Sequence, residues 1–333
     1  MLEVVICTYN NAAMLDGVLS TLARQVPSEN PGWTCLVVNN NCTDETEDVV
    51  LKYVSGGVVP GLRSVREAEQ GLTRARLRGV QTSNAKWIAF VDDDCFLKPD
   101  WVAEAICFTQ RRPTAGAFGG QVILDWQVEP PDFARNFAYC FAEQNRGDIE
   151  QQVPFLAGAG LVVNRNALAA CGWIDGPLVA DRIGKGLVSG GDVEIVLRIA
   201  SAGHPLWYAP KCVLHHQIPE WRTTKRYLKT INRNLGVSQS LADVLVSEVA
   251  LAQWFFGSLL AACKQVLGLA RIAIQVIRRS RSITDFSIQA NFIFGQLQGI
   301  WRILDMPPNQ RHQLMGRARR PSGKTTSQLS DPL

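Results

Sequence analysis

The sequence predicts an α/β fold in which a mostly parallel sheet is flanked by helices and followed by a helical appendage. Short apolar runs alternate with stretches of helical periodicity in the N-terminal portion, the rhythm of parallel strands joined by crossover helices. Three of those runs end in polar clusters, Thr8-Tyr9-Asn10, Asn39 to Asp44 and Asp92-Asp93-Asp94. The carboxyl edge of an open sheet, where ligands bind, would collect all three. Toward the C-terminus the alternation gives way to longer apolar stretches with arginines between them. A chain of 333 residues accommodates one α/β domain plus such an appendage.

Taken in order, Val4 to Cys7 is the first strand. Ala12 to Gln25 carries Met14, Leu15, Val18, Leu19 and Leu22 at helical spacing, and Pro27 stops it. Thr34 to Val38 is the second strand, and Asn39 to Asp44 supplies turn and capping residues for a helix through Tyr53. A weaker strand, Leu62 to Arg66, leads to the helix Leu72 to Thr82. Ile88 to Val91 is a buried strand that ends in the three aspartates, with a turn from Cys95 to Asp100 before the next helix. Gly116 to Trp126 reads as one strand, Pro130-Pro131 as a break and Phe133 to Glu143 as a helix. Apolar residues return at Phe155 to Val163, around Gly158 and Gly160. The glycine-rich loop Pro177 to Gly190 suggests a segment that moves or lies against a ligand. Asp192 opens a helix to Ala202, and Leu206 to Tyr208 is a short strand.

Composition narrows the function. A formal charge of +4 is too small to argue for nucleic acid. Nine cysteines without a CxxC pair read as reduced thiols of a cytosolic protein. Met1 leads directly into strand-like sequence, with no secretory signal.

Chemistry concentrates at Asp92-Asp93-Asp94. Three adjacent carboxylates repel unless a cation sits among them, and Mg²⁺ or Mn²⁺ takes one or two carboxylates while leaving other positions to phosphates. The same acids also suit the start of a turn. In their order and spacing, the motifs of residues 1–235 resemble family 2 of the nucleotide-sugar glycosyltransferases, which have the GT-A fold. The resemblance implies donor contacts at Thr8, Tyr9, Asn10, Asn39, Asp44, Gly71, Arg76, Asp92, Asp93, Gly158 and Gly160. Asp94 would be the direct metal ligand, with His216 of His215-His216-Gln217-Ile218-Pro219 completing the Mg²⁺ or Mn²⁺ site, and Asp192 the general base. Asn39 stands where the family usually has aspartate, and Gly191 where it usually has glutamate. Asn39 leaves the nucleobase open, because an amide both accepts and donates.

Other roles compete. Asp192 also suits helix capping, with Glu194 as a neighbouring acid; Arg76 also suits a solvated helix face; Trp173 and Asp175 suit the core and a turn as well as an acceptor site. The resemblance implies an inverting transfer from a nucleoside diphosphate sugar, a UDP-sugar foremost, to a glycan or lipid-linked acceptor. A nucleotidyltransferase would carry a Gly-rich phosphate loop with a lysine near the first strand, and none is found. A non-catalytic nucleotide- or glycan-binding protein of the same fold is the other alternative.

Residues 236–306 read as an apolar, membrane-associated region and 307–333 as a disordered basic tail. Leu245 to Cys263, Val266 to Ile277 and Phe292 to Leu304 are apolar, and Arg278-Arg279-Ser280-Arg281 follows the second. That pattern suits helices lying on an anionic cytoplasmic leaflet, placing the protein in the cytoplasm on the inner face of the membrane. Packing on the catalytic domain or dimerisation suits the same helices.

Overall fold

The computed structural model describes residues 1–26, 32–178, 190–247, 249–278 and 281–316. In chain order the elements are β1 (Leu2–Thr8), α1 (Ala12–Ala23), β2 (Trp33–Asn39), α2 (Thr46–Gly56), β3 (Arg63–Arg66), α3 (Leu72–Thr82), β4 (Trp87–Asp92), β5 (Cys95–Leu97), α4 (Trp101–Arg111), β6 (Ala117–Gly119) and β7 (Val122–Trp126). There follow α5 (Asp132–Arg135), β8 (Gln151–Gln152), β9 (Leu161–Asn164), α6 (Arg165–Ala170), α7 (Gly191–Ser201), β10 (Leu206–Tyr208), β11 (Leu214–Ile218), α8 (Lys225–Leu245), α9 (Leu251–Ile277), α10 (Ile283–Asp305) and α11 (Pro308–Gly316). The main sheet has the order β3-β2-β1-β4-β9-β6-β10-β8, and β5-β11-β7 forms a small second sheet.

The half built of β3, β2, β1 and β4 is parallel, as the alternating pattern leads one to expect. Beyond β4 the sheet is mixed, because β9 runs antiparallel to both β4 and β6. Alternate residues serve opposite faces. Val4, Ile6, Cys35 and Val37 pack beneath α1, α2 and α4, where Trp101 and Phe108 are fully buried. Val5, Leu36 and Val38 pack beneath α3, α6 and α7. Continuous apolar strands are what burial on both faces requires.

Several expectations change. The stretch Gly116 to Trp126 is two strands in two sheets, and Gly120 at the break lies so close to the Cys212 carbonyl that a Cβ would approach its oxygen to 1.7 Å. Phe133 to Glu143 is α5 followed by a 3-10 turn at Ala138–Phe141, which ends at Ala142 with φ +61°. The turn after the aspartates contains β5, which pairs with β11. The expected disordered tail, 307–333, begins instead with the helix α11, while its remainder from 317 and most of the glycine-rich loop, residues 179–189, lie outside the described residues.

The C-terminal helices divide into two kinds. α8 and α10 pack backbone to backbone through Gly236, Gly295 and Gly299, and Ile288 of α10 joins a core with Ile218, Phe141 and Tyr227. α9 is one continuous helix across Lys264, long and apolar enough to cross a membrane; Trp254 and Phe255 near its start pack with residues of α8 and α10, and little of the rest is buried.

Candidate active site

Strand register delivers the polar clusters to one edge. Thr8 pairs with Asn39, Cys7 with Asp92 and Asn39 with Arg66. Two short turns follow β1 and β2 and are bolted together. Asn10, in the left-handed region at φ +49°, accepts the Thr43 N–H at 2.7 Å. Asp44 accepts the Ala12 N–H at the start of α1 at 3.0 Å and the Thr46 hydroxyl at 2.6 Å. Burial pushes the Asp44 carboxyl up, but these hydrogen bonds outweigh it and hold it below the usual carboxylate range. Tyr9 stands at the tip of the first turn with its ring partly exposed.

Asn39 is buried with both ends of its amide engaged. The oxygen accepts the Cys42 N–H at 2.8 Å, and the nitrogen donates to the Glu47 carboxylate. Its neighbour Asn40 holds the loop that leads to α3. It donates to the carbonyls of Glu67 and Glu69 at 3.1 and 2.8 Å and accepts the Gly71 N–H at 2.8 Å. Gly71 adopts φ +144°, a region open to glycine, as α3 begins. One turn into that helix, Arg76 is only 4% exposed; its guanidinium lies 3.6 Å from Asp92 and over the Phe90 ring. A solvated-face role for Arg76 is thereby excluded.

The three aspartates diverge. Asp92 faces Arg76. Asp93 accepts a hydrogen bond from Asn11 at 2.9 Å, and burial together with the Asp94 charge pushes it above the usual carboxylate range. Asp94 turns toward β11. Pairing of β5 with β11 sets His216 opposite Cys95, and His216 Nε2 comes within 3.4 Å of Asp94 Oδ2. The His216 Nδ1–H donates to the Phe141 carbonyl at 2.7 Å, which fixes the ring with Nε2 toward Asp94. That backbone contact is the kind that orients a metal-binding histidine. Burial pushes the imidazole pKa down, and the Asp94 carboxylate outweighs it, for a net rise. One ligand atom each from Asp94, His216 and Cys95 lies within 4.8 Å of the others. Burial and the nearby acids push the Cys95 thiol far up, and its soft sulfur is a poor match for a hard cation. The donors that fit a cation are therefore one carboxylate oxygen and one imidazole nitrogen, a set suited to Mn²⁺ or Mg²⁺.

Opposite the aspartates, Gln144 spans the break after β6. It donates to the Gly120 carbonyl at 2.7 Å and accepts the Ala157 N–H at 3.0 Å, which positions the loop carrying Gly158 and Gly160. Gly160 has φ +70°. The Asp192 carboxylate lies directly over Gly158: a Cβ there would meet its Oδ2 at 2.2 Å. Gly190 is the N-cap of α7, and the Asp192 side chain makes no hydrogen bond among the described residues, so it does not cap the helix. Glu194 has a different task. Fully buried, it pairs with Arg198 at 2.7 Å and accepts the Leu178 N–H, holding the chain that leads out of the site. Trp173 is completely buried in the core. Residues that sequence reasoning missed include Asn40, Gln144 and Arg222; the last donates to Asp94 at 2.9 Å and lies 3.2 Å from His216 Nε2.

A family model for glycosyl transferase family 2 matches residues 3–172, just over half of the chain. The chain belongs to glycosyl transferase family 2. It is 24% identical over 255 residues to the glucosyl-dolichyl phosphate glucuronosyltransferase of Haloferax volcanii, which covers 74% of this chain and 79% of that protein. It is 33% identical over 108 residues to the validoxylamine A glucosyltransferase of Streptomyces hygroscopicus subsp. jinggangensis, where the match spans 32% of this chain and 25% of the relative. Among solved structures, the mannosyltransferase PcManGT from Pyrobaculum calidifontis, in complex with GDP-Man and Mn²⁺, superposes with a TM-score of 0.59 at 17% identity, covering 90% of this chain and 87% of that one. TarS 1-349 of S. aureus in complex with UDP-GlcNAc gives 0.51 at 12% identity, over 95% and 80%. These two likenesses establish the GT-A fold. This family 2 member is a glycosyltransferase.

Proposed function

We propose that the chain moves a sugar from a nucleoside diphosphate sugar to a hydroxyl of a glycan or lipid-linked acceptor, with inversion at the anomeric carbon. The observation that carries this reading is the Asp192 carboxylate: it lies over Gly158, on the loop that Gln144 positions, and makes no hydrogen bond among the described residues. A carboxylate so placed takes the proton of an acceptor hydroxyl as that oxygen attacks the sugar opposite the leaving group. One displacement suffices, and no covalent intermediate is formed. The turns at Thr8, Tyr9 and Asn10 and at Asn39 to Asp44 receive the nucleoside with Gly71 and Arg76. Asp92 and Asp93 serve the ribose and sugar side, and on the loop beneath the donor sugar Gly158 makes room for the Asp192 carboxylate while Gly160 takes the left-handed turn. Mg²⁺ or Mn²⁺, held by Asp94 and His216, supplies positive charge where the leaving diphosphate gains negative charge.

Uridine is the base we infer. The Asn39 oxygen keeps a second lone pair for the imide N–H of uracil after accepting from Cys42. A lipid-linked acceptor is supported by two observations: the name of the Haloferax relative specifies a glucosyl-dolichyl phosphate, and α9 exposes Phe256, Leu260, Leu267 and Ile277 beside Lys264, Arg271 and Arg278. Such a helix suits the anionic cytoplasmic face of a membrane, where the site would work on cytosolic nucleotide sugars. A screen of nucleotide sugars for binding to purified protein, followed by turnover with polyprenyl-phosphate-linked and soluble acceptors, tests the proposal. Metal-dependent release of nucleoside diphosphate with a lipid-linked acceptor is expected. Binding of donor with no turnover on any acceptor would point instead to a glycan- or nucleotide-binding protein.

A further inference from the structure

The 3-10 turn Glu220–Thr223 joins β11 to α8 and carries Arg222 into the site. Its side chain is only 13% exposed. One guanidinium nitrogen donates to Asp94 Oδ2 at 2.9 Å, the other lies 3.2 Å from His216 Nε2, and Nε is buried without a hydrogen-bond partner among the described residues. The Trp221 ring stands 5.2 Å from the guanidinium carbon. Folding alone explains this poorly, because the desolvation of a buried ion pair offsets most of its attraction. The chemistry is that of anion recognition: a planar fork of donors, always charged, that matches a phosphate through two parallel hydrogen bonds. It is set on the two residues assigned above to the cation.

We propose that Arg222 is a diphosphate-binding residue of the donor site, and that Arg222 and the divalent cation are alternative partners for Asp94 until the diphosphate arrives. The inference rests on reading the edge of the sheet as a nucleotide-sugar site. Two cations on one carboxylate repel each other, so each weakens the other's hold when no further anion is present. The donor's diphosphate brings that anion. It gives Arg222 a bidentate partner and releases Asp94, so Arg222 adds to the positive coupling that the cation's own attraction for the diphosphate supplies.

Calorimetry on the full chain tests this with Mn²⁺ alone, and with the mono- and diphosphates of uridine and guanosine, each with and without Mn²⁺. Wild type is compared with Arg222→Gln and Arg222→Lys, and thermal melts establish that each variant is folded. The glutamine variant is expected to lose about tenfold to a hundredfold in diphosphate affinity, the range of a hydrogen bond to a charged group. Its monophosphate affinity changes by less than roughly threefold, and its affinity for Mn²⁺ alone rises. The lysine variant keeps the charge without the fork and falls between. Should the glutamine variant not fold, the lysine variant decides alone by the same selective loss of diphosphate. Diphosphate affinity at the wild-type level in a folded variant, or equal loss of mono- and diphosphate, overturns the proposal. A wild-type chain that binds none of these nucleotides overturns the site reading itself, and this inference with it.

Discussion

The two ends of the Asn39 amide cannot be exchanged: a backbone N–H must meet its oxygen and the Glu47 carboxylate must meet its nitrogen. Asn39→Asp therefore sets a second carboxylate against Glu47, and we expect a loss of stability of about 1 kcal/mol at neutral pH, read from denaturant midpoints and relieved in Asn39→Asp with Glu47→Gln. Asp44 offers a pH signature. Its carboxyl lies below the usual range when folded, so its stabilisation is complete above the unfolded value near 3.9 and is lost as pH falls through the folded one. Asp44→Ala should cost about 1–2 kcal/mol at neutral pH through the lost hydrogen bonds to Ala12 and Thr46, and wild type and variant should converge in acid. Asp94→Ala should remove Mn²⁺-dependent affinity for nucleoside diphosphate, whereas Asp92→Ala should weaken it less; unchanged affinity in Asp94→Ala would refute the metal assignment. That Asp94 and His216 would meet was legible because acids and histidines in ordered motifs restrict the residue type, and the structure brings them within 3.4 Å. Arg222 was not, because Asp94 lies far away in sequence and only the β5–β11 pairing brings it beside the segment that carries His216 and Arg222. Asn40 and Gln144 act on backbone groups, and no side-chain pattern announces that.

At the scale of elements, glycines mark what periodicity could not. The first four strands and α1 to α3 lie within a few residues of where their spacing predicts them. Gly120 splits one apparent strand in two because the Cys212 carbonyl occupies the place of a side chain. On α8 and α10, residues that look like weak helix formers are the contact itself: a Cβ on Gly295 would approach the Arg233 carbonyl oxygen to 1.9 Å, and one on Gly236 the Phe292 carbonyl oxygen to 2.1 Å. Gly295→Val should therefore destabilise the helix pair by at least about 1–3 kcal/mol. Urea unfolding checks it. A variant as stable as wild type would mean that α10 does not pack on α8 as described. Lys264, read as the end of an apolar segment, instead sits mid-helix in α9, where a single charge on an exposed surface does not break a helix.

The whole molecule is a sheet that carries the site on one edge, with a helical pair tied to it and an apolar helix left outside. If α9 lies on or in a membrane, purified protein should sediment with anionic liposomes, and salt should weaken but not abolish the binding, since apolar contact is not screened. Protein that stays in the supernatant at low and high salt while folded and active on a soluble acceptor would remove the membrane from the account. The central claim is narrower, namely that Asp192 is the base of a transfer whose donor is held by the rest of the edge. The transfer rate at saturating donor, measured for wild type and Asp192→Asn alongside donor affinity, tests it most directly. The account predicts unchanged donor affinity and a rate lower by on the order of 10² to 10⁴. A variant that binds donor and transfers sugar at the wild-type rate would contradict it.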